Sequence, residues 1–402
     1  MRNLLYGLFG ALFVALSGFA QAQQPVPESP TPPMPRVLVG AAMPLSGLLA
    51  DLAADLKKSL LLWQEEVNAG GGLLGRRVEL QLLDDRSEST AAPKLYEQLI
   101  LNDKAELLIG PLGSAASLGA AGTAERNRRV LINATGASRA VHRSGFRYVF
   151  QTATPLGAYG AGALEAAREL GVKRIAILAR DDPGARESAT LARELAASSG
   201  LSAGEIEIYP QGNDDFAMQV ARAKAAGAEG WIAFGLPRDA AGMVKAFRKL
   251  RYAPKLFVAQ GAADPEFIKL VGQDAEYSVG IAGYDRGAAT RGNAQFVQAY
   301  AKKWSAEPGH LAADGYAAAK VLEEGVRRAG SFEPEKLREA LALLETETPL
   351  GPYKVDRSGA QLAARPLLVQ IVRGRRVIVW PEALATAKLQ PYPAWDARKP
   401  LK

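Results

Sequence analysis

The sequence predicts an α/β protein with two doubly wound domains, each with helices on both faces of a mostly parallel sheet. Short apolar runs alternate with helical segments along most of the chain, which is the pattern of repeated βα units. Several runs, such as 174–179 and 230–235, are continuously apolar, as expected of strands that helices cover on both faces. About 365 residues follow the N-terminal segments, enough for two domains of ordinary size.

The N-terminal residues 1–22 have the pattern of a cleavable secretory signal peptide. Arg2 precedes an apolar run, and Ala20-Gln21-Ala22 forms an A-x-A cleavage site. Residues 23–35 are rich in proline and predict a semi-rigid spacer. Because no later apolar stretch is long enough to span a bilayer, we expect an exported protein.

Composition argues against several kinds of site. The chain has no cysteine, which excludes disulfides, thiolate metal sites and a lipid-modified N-terminal cysteine. Its only histidines, His142 and His310, argue against a histidine-rich metal site. The net charge is +7, or +6 once Arg2 leaves with the signal, but the basic residues are scattered and no nucleic-acid-binding motif accompanies them. We expect no metal, no cofactor and no nucleic-acid partner.

The apolar runs predict the strands in chain order, and the C-terminal region changes character. The predicted strands are 36–42, 77–84, 105–110, 129–133, 174–179, 204–210, 230–235, 255–260 and 277–284. Segment 351–361 and segment 366–380 predict antiparallel strands, the second of them a hairpin that turns near Gly374. The tail after Pro381 is predicted to wrap the surface.

Gly70, Gly72 and Gly75 form a G-x-G-x-x-G pattern, which is also the pattern of a dinucleotide-binding turn. That turn requires a strand before the glycines and a helix after them. Here an amphipathic helical stripe from Leu56 to Val67 comes first and a strand follows. We therefore predict a helix end and a tight return, where positive φ favours glycine.

Two loops follow predicted strands that we expect to be neighbours, at the sheet edge where ligands of α/β proteins bind. In the first, GPLGSAASLGAA (110–121), Ser114 begins a helix, so it either caps that helix or holds a carboxylate; both roles stay open. The second, NATGASRAVH (133–142), is either an ordinary polar turn or a second set of ligand contacts. Its available hydroxyl and N–H groups belong to Thr135, Gly136, Ala137 and Ser138.

Catalytic patterns find little support in the sequence. Asp84 and Asp85 close a strand, but adjacent strand residues point to opposite faces, so we favour a loop-capping role. Ser114 lacks the following glycine of a G-x-S-x-G elbow. His142 has no assignable nucleophile or orienting carboxylate. We therefore predict that the protein is not an enzyme.

Five segments, in order, resemble periplasmic binding proteins of the branched-chain amino-acid type. The segments are MPLSG (43–47) with the glycine turn, IGPLGSAAS (109–117), 213–235, TPLGPYKVDRSG (348–359) and VIVWPE (377–382). The resemblance covers residues 36–382 and implies a type I periplasmic-binding fold. It implies two lobes that trap a ligand by hinge closure and three crossover segments near 151–155, 283–286 and 358–365.

The resemblance also implies domain boundaries and a function. The first lobe would comprise 36–152 plus 286–360, the second 153–285 plus 361–383, with a tail at 384–402. The implied function is the periplasmic component of an ABC importer, a monomer that captures a small amino acid or carboxylate-bearing solute and engages permease and ATPase subunits. The alternative is a sensory or regulatory binding protein of the same fold that engages a separate receptor.

The resemblance assigns the binding residues position by position. Leu112 and Gly113 would line the site and Ser114 would donate its hydroxyl, while Thr135, Gly136 and Ala137 would supply the second loop's contacts. At the position of Ala137 the family often has a threonine that contacts the ligand. The neighbouring Ser138 would supply the missing hydroxyl. Leu52 and Leu236 stand where the family often has aromatic residues.

Gln260 aligns with the acidic residue that pairs with the ligand's ammonium group in the family. A neutral amide accepts a hydrogen bond without charge assistance. The resemblance therefore implies carboxylate capture and leaves recognition of a free α-amino group open. An alignment shifted by several residues would place Asp264 or Glu266 there.

Overall fold

The computed structural model describes residues 35–398, so the predicted signal peptide, residues 23–34 of the spacer and residues 399–402 of the tail lie outside it. The strands of the described residues are β1 (Arg36–Met43), β2 (Arg77–Asp84), β3 (Leu107–Gly110), β4 (Leu131–Asn133), β5 (Val149–Gln151), β6 (Arg174–Arg180), β7 (Ser202–Ala203), β8 (Glu207–Tyr209), β9 (Gly230–Phe234), β10 (Leu256–Ala259), β11 (Val279–Ala282), β12 (Thr346–Thr348), β13 (Gly351–Tyr353), β14 (Leu367–Val372) and β15 (Arg375–Trp380).

Helices separate most of these strands. They are α1 (Ala50–Ala69), α2 (Ala92–Leu101), α3 (Ser114–Arg126), α4 (Ala140–Arg143), α5 (Tyr159–Glu169), α6 (Pro183–Ser198), α7 (Ala217–Ala225), α8 (Pro237–Lys249), α9 (Pro265–Val271), α10 (Asn293–Trp304), α11 (His310–Ala329) and α12 (Pro334–Ala342). None of the helices within residues 35–398 combines the length and the apolarity needed to cross a bilayer.

The first sheet has five parallel strands in the order β2-β1-β3-β4-β5. Its inner strand β1, which lies between β2 and β3, is an apolar run in which Val37 and Val39 are fully buried. Residues of α1 and α11 form one core with this sheet, and residues of α2 and α3 form another. Because both faces are covered, successive positions along a strand are apolar, as the sequence indicated.

The second sheet has the order β15-β14-β11-β10-β9-β6-β7, and β8 also pairs with β6. Its parallel part, β7-β6-β9-β10-β11, follows the same pattern as the first sheet. The predicted hairpin is confirmed: β14 and β15 pair antiparallel around a turn in which Gly374 has φ +71°. Segment 204–210, predicted as one strand, contributes only β8, next to the separate short strand β7.

The last helices return to the first sheet. Phe296 of α10, Leu322 of α11 and Leu341 of α12 are buried in its core although they follow β11 of the second sheet in the chain. The chain thus passes between the two layers after β5, after β11 and before β14. The predicted fold class, two doubly wound parallel-sheet lobes joined by three crossover segments, is confirmed.

The glycine pattern is a return from α1 to β2, as predicted. Gly70 ends α1, and Gly71 and Gly72 have φ of +91° and +76°. A Cβ at Gly72 would lie 2.1 Å from the carbonyl oxygen of Arg76, so only glycine fits there. The order is helix, turn, strand, which is the reverse of a dinucleotide-binding turn.

Candidate functional site

Two adjoining cavities lie between the lobes, beyond the carboxyl ends of the strands. The first cavity has a volume of about 230 Å³ and the second about 520 Å³. Their walls share Tyr159, Gly283 and His310, so we treat them together as the cleft. Crevices at this edge of doubly wound sheets are where such folds bind ligands.

Four residues predicted from the sequence line the first cavity: Leu112, Gly113, Thr135 and Ala137. The Thr135 hydroxyl accepts a hydrogen bond from the Gly113 N–H (2.7 Å) and donates to the Pro111 carbonyl (2.9 Å). This side chain therefore ties the loop after β3 to the loop after β4. Gly113 has φ +84°, a conformation that favours glycine.

The loop after β3 leads into α3, which begins at Ser114 without a side-chain cap. The N–H groups of the first turn of a helix have no partner within the helix. Together with the helix dipole they form a natural position for a carboxylate. The wall of the first cavity thus contains Gly113, the residue at the start of this uncapped helix.

Ser114 and Ser138 are joined to each other and lie in the wall of neither cavity. The Ser138 N–H donates to the Ser114 hydroxyl oxygen at 3.1 Å, which leaves the Ser114 hydroxyl proton available. The Ser138 hydroxyl instead donates to the carboxylate of Glu187 at 2.5 Å. The predicted ligand contacts of these two serines remain predictions.

Gly136 holds the turn of the second loop. Its N–H and carbonyl both bond the Asn133 side chain, each at 2.8 Å. A Cβ at Gly136 would lie 2.4 Å from the Ser117 hydroxyl oxygen and 2.5 Å from Ser117 Cβ. The position therefore packs the second loop closely against α3.

The second cavity is lined by the predicted residues Leu236 and Gln260 from the second lobe. A Cβ at Gly261 would lie 2.2 Å from the Leu236 carbonyl carbon, so the loops after β9 and β10 are in close contact. Leu52 is half exposed and lines neither cavity. Asp55, one turn later on α1, lines the second cavity instead.

Comparison of the sequence with known protein families assigns the family. Residues 36–376 match the family model described as periplasmic binding protein. The chain belongs to this family. The type I periplasmic-binding fold predicted from the resemblance is confirmed.

Relatives of this periplasmic binding protein cover most of both chains. The leucine-, isoleucine-, valine-, threonine- and alanine-binding protein of Pseudomonas aeruginosa is 23% identical over 88% of this chain and 91% of its own. A putative branched-chain amino acid ABC transporter structure from Silicibacter pomeroyi matches with TM-score 0.79 at 19% identity, over 89% of this chain and 99% of its own. An R. palustris solute-binding protein in complex with benzoate matches with TM-score 0.69 at 20% identity, over 90% and 98%.

Three cleft residues of this periplasmic binding protein were missed from the sequence: Tyr159, His310 and Asp314. Burial, followed by the nearby Asp314, raises the pKa of Tyr159, which keeps the phenol neutral. Burial lowers the pKa of His310 and raises the pKa of Asp314 to about 8. One signal was available: Asp314 is the only charged residue between Leu311 and Ala319.

The remaining titratable candidates have structural roles. Burial lowers the pKa of His142, whose Nδ1 lies 2.9 Å from the Ser358 carbonyl oxygen. Asp84 accepts from the Leu45 and Ser46 N–H groups and from the Ser46 hydroxyl, and that hydroxyl above all lowers its pKa to about 2. Within residues 35–398 no three His, Asp or Glu side chains are grouped to hold a metal ion.

A hydrogen-bonded bridge joins the second loop to the second lobe. The Glu187 carboxylate on α6 accepts from the Ser138 hydroxyl (2.5 Å) and from the Arg139 N–H (2.9 Å). Hydrogen bonds to a charged group each contribute about 1.5–3 kcal/mol. We call this pair of contacts the Glu187 bridge, because it joins the second loop to α6 of the second lobe.

Glu187→Ala is expected to weaken ligand binding about tenfold, because the bridge stabilises the arrangement in which both lobes border the cleft. Isothermal titration with the best ligand measures the effect. Glu194→Ala is the matched control, since Glu194 faces Arg139 at 3.8 Å, is exposed and contributes little. Equal affinities for the Glu187 variant and the wild type would contradict the role of the bridge.

Proposed function

We propose that this protein is the solute-binding component of an ABC importer, capturing a small carboxylate-bearing solute in the periplasm. The lobes would be 36–152 with 286–360 and 153–285 with 361–383, closing on the ligand about their crossover segments. Permease and ATPase subunits would be its partners, and the bound solute would be released to them without chemical change.

One observation carries the proposal: the uncapped N-terminus of α3 opens beside the cleft. Gly113 and Thr135 line the first cavity, and the Thr135 hydroxyl fixes the two loops relative to each other. Pre-positioned backbone N–H groups at a helix N-terminus favour a carboxylate. The Ser114 hydroxyl, with its proton available, lies within the same loop.

The relatives support a carboxylate as the common feature of the ligand. The P. aeruginosa relative is named for five amino acids, and the R. palustris structure holds benzoate. An amino acid and benzoate share a carboxylate and differ in the ammonium group. We therefore propose residues Leu112 to Ser114 and Thr135 to Ser138 as the carboxylate-binding part, with Leu236 and Gln260 facing the remainder of the solute.

A thermal-shift screen of the mature protein tests this function. The panel contains α-amino acids, aliphatic and aromatic carboxylates without an amino group, and amides and sugars that carry no carboxylate. A true ligand at about a hundred times its Kd should stabilise the folded protein by roughly 2.7 kcal/mol, which raises the Tm by several degrees. A panel in which amides and sugars shift the Tm while no carboxylate does would contradict the proposal.

A further inference from the structure

Asp314 presents a carboxyl group without a partner to the first cavity. It lies one turn after His310 on α11, and the residues around it on the helix, Ala313 and Gly315, are buried and apolar. Among residues 35–398 no hydrogen-bond donor and no cation contacts the Asp314 side chain, and burial is the one cause of its pKa shift.

The other carboxyl groups of the cleft all have partners. Asp55 accepts from the Tyr300 hydroxyl (2.8 Å), Asp264 accepts from the Glu266 N–H (2.7 Å), Asp285 pairs with Arg376 (2.8 Å), and Glu307 lies 3.4 Å from Arg286. Among the described residues that line the two cavities, Asp314 is thus the acid still free to receive a group from outside the chain.

An unpaired carboxylate at this buried position has an unfavourable solvation free energy, because burial penalises the charged form. Burial raises the pKa of Asp314 to about 8, so the empty site holds mostly the neutral acid at pH 7. A ligand cation placed against this side chain would replace the lost solvation and favour the ionised form.

The same cavity offers an anion site on another part of its wall. Gly113 and Thr135 belong to the loops at the uncapped start of α3, whereas Asp314 comes from α11. The first cavity has a volume of about 230 Å³ and adjoins the second, of about 520 Å³. The space therefore suits a small solute with an acidic and a basic group at separate positions.

We propose that Asp314 binds the ligand's ammonium group, so that the cleft selects a small zwitterion, an α-amino acid, over the matching amine-free acid. This inference rests on the proposed function and supplies the negative charge that Gln260 lacks. Gln260, in the wall of the second cavity, then faces the solute as a neutral hydrogen-bonding group.

The groups that face Asp314 allow a pH test. Tyr159 on α5 stays neutral because its pKa is raised, and His310 titrates below its ordinary value because its pKa is lowered. The charges of Asp55 and Asp264 oppose the lowering of the His310 pKa, and each of these carboxylates already accepts a hydrogen bond within the protein. Asp314 is therefore the cleft group whose charge changes near pH 8.

Binding an ammonium group requires ionised Asp314, so ligand binding below pH 8 should release a proton. The affinity for an amino acid is expected to rise close to tenfold from pH 6 to pH 7 and to level off above pH 8. An amine-free carboxylate would show the opposite sign, because it prefers the neutral acid. Titration calorimetry in two buffers of different ionisation enthalpy counts the protons.

Asp314→Asn is the decisive variant, measured with matched pairs such as valine and 3-methylbutanoate, leucine and 4-methylpentanoate. We expect amino-acid affinity to fall about 100-fold and the proton release to vanish, since truncating one partner of a buried charge pair is costly. Asp396→Asn is the control, because Asp396 is exposed and lines neither cavity. Because the variant removes an unpaired acid, it should melt no lower than the wild type.

The outcomes separate this inference from the proposed function. Amino-acid binding with proton release that Asp314→Asn abolishes supports both. Tighter binding of the amine-free acids, unchanged in Asp314→Asn, overturns the role of Asp314 and leaves carboxylate capture standing. Absence of binding by every carboxylate and every amino acid overturns the proposed function itself. The pH profile of the wild type decides the matter even if the variant does not fold.

Discussion

Trp63→Ala is expected to lower the free energy of unfolding by about 3–5 kcal/mol. Trp63 lies on α1, is fully buried, and donates its Nε1–H to the Glu323 carboxylate on α11 at 3.0 Å. Glu323 is also buried and is paired with Lys320 (2.7 Å) and Arg327 (2.9 Å). The substitution leaves a cavity between the two helices and removes one donor from a buried carboxylate. Urea unfolding followed by far-UV circular dichroism measures the loss.

Trp63→Phe separates the two contributions, because it keeps most of the aromatic volume and removes only the N–H donor. We expect it to cost about 1.5–3 kcal/mol, the contribution of one hydrogen bond to a charged group, since Lys320 and Arg327 remain as partners of the carboxylate. Met218→Ala, at an exposed position of α7, should change stability by less than about 0.5 kcal/mol. Equal losses for Trp63→Phe and Trp63→Ala would show that the hydrogen bond, and not the volume, stabilises this interface.

The interface between α1 and α11 also matters for the cleft. α11 carries His310 and Asp314 on its first turns, and Gly315 packs so closely that a Cβ there would lie 2.4 Å from the Ser59 hydroxyl oxygen. Packing along the length of α11 therefore fixes the position of its N-terminal end. Loss of Trp63 should lower ligand affinity as well as stability.

Periodicity predicted most elements of the fold, although it missed β5 and indicated a single strand at 204–210. Leu56, Leu60, Trp63 and Val67 recur at helical spacing, and all four are buried on α1. The order of helix and strand also predicted the glycine-rich turn between α1 and β2. Such patterns are local, because a helix or strand must bury one face whatever it packs against.

The ligand-binding face was only partly predictable, because it assembles from distant parts of the chain. The loops at Gly113 and Thr135 follow neighbouring strands, so strand order alone indicated them. Asp314 lies about two hundred residues later, on a helix that returns to the first lobe after the second lobe is complete. Periodicity does not show which loops a returning helix will meet.

The expectation for Leu52 shows a second limit. It was assigned from a position in the family where a cleft tyrosine is common, yet the side chain is half exposed outside both cavity walls. Asp55 of the same helix reaches the second cavity and bonds Tyr300. A helix face is set by rotation of about 100° per residue, so a small offset in alignment exchanges one wall residue for another.

Gly136→Ala is expected to weaken ligand binding about 100-fold, because it displaces both loops of the carboxylate site. The added methyl would lie 2.4 Å from the Ser117 hydroxyl oxygen, and that hydroxyl donates to the Gly113 carbonyl at 2.9 Å. Relief of the overlap must move either the turn held by Asn133 or the loop that leads into α3. Overpacking costs the folded protein about 1–3 kcal/mol of stability. Affinity falls because the displaced loops hold their carboxylate contacts in a poorer geometry, and a 100-fold loss corresponds to about 2.8 kcal/mol of binding free energy.

Titration calorimetry with the ligand found by the screen measures this loss, and Gly204→Ala is the matched control. Gly204 has no atom within 4 Å of its added methyl, so its affinity should equal that of the wild type. Because both loops contact the carboxylate, the factor by which Gly136→Ala lowers the affinity should be the same for an amino acid and for its amine-free analogue. A loss confined to amino acids would place the ammonium group, and not the carboxylate, beside Gly136. The geometry around Thr135 and Asp314 argues for the opposite arrangement, with the carboxylate at the loops and the ammonium group at α11.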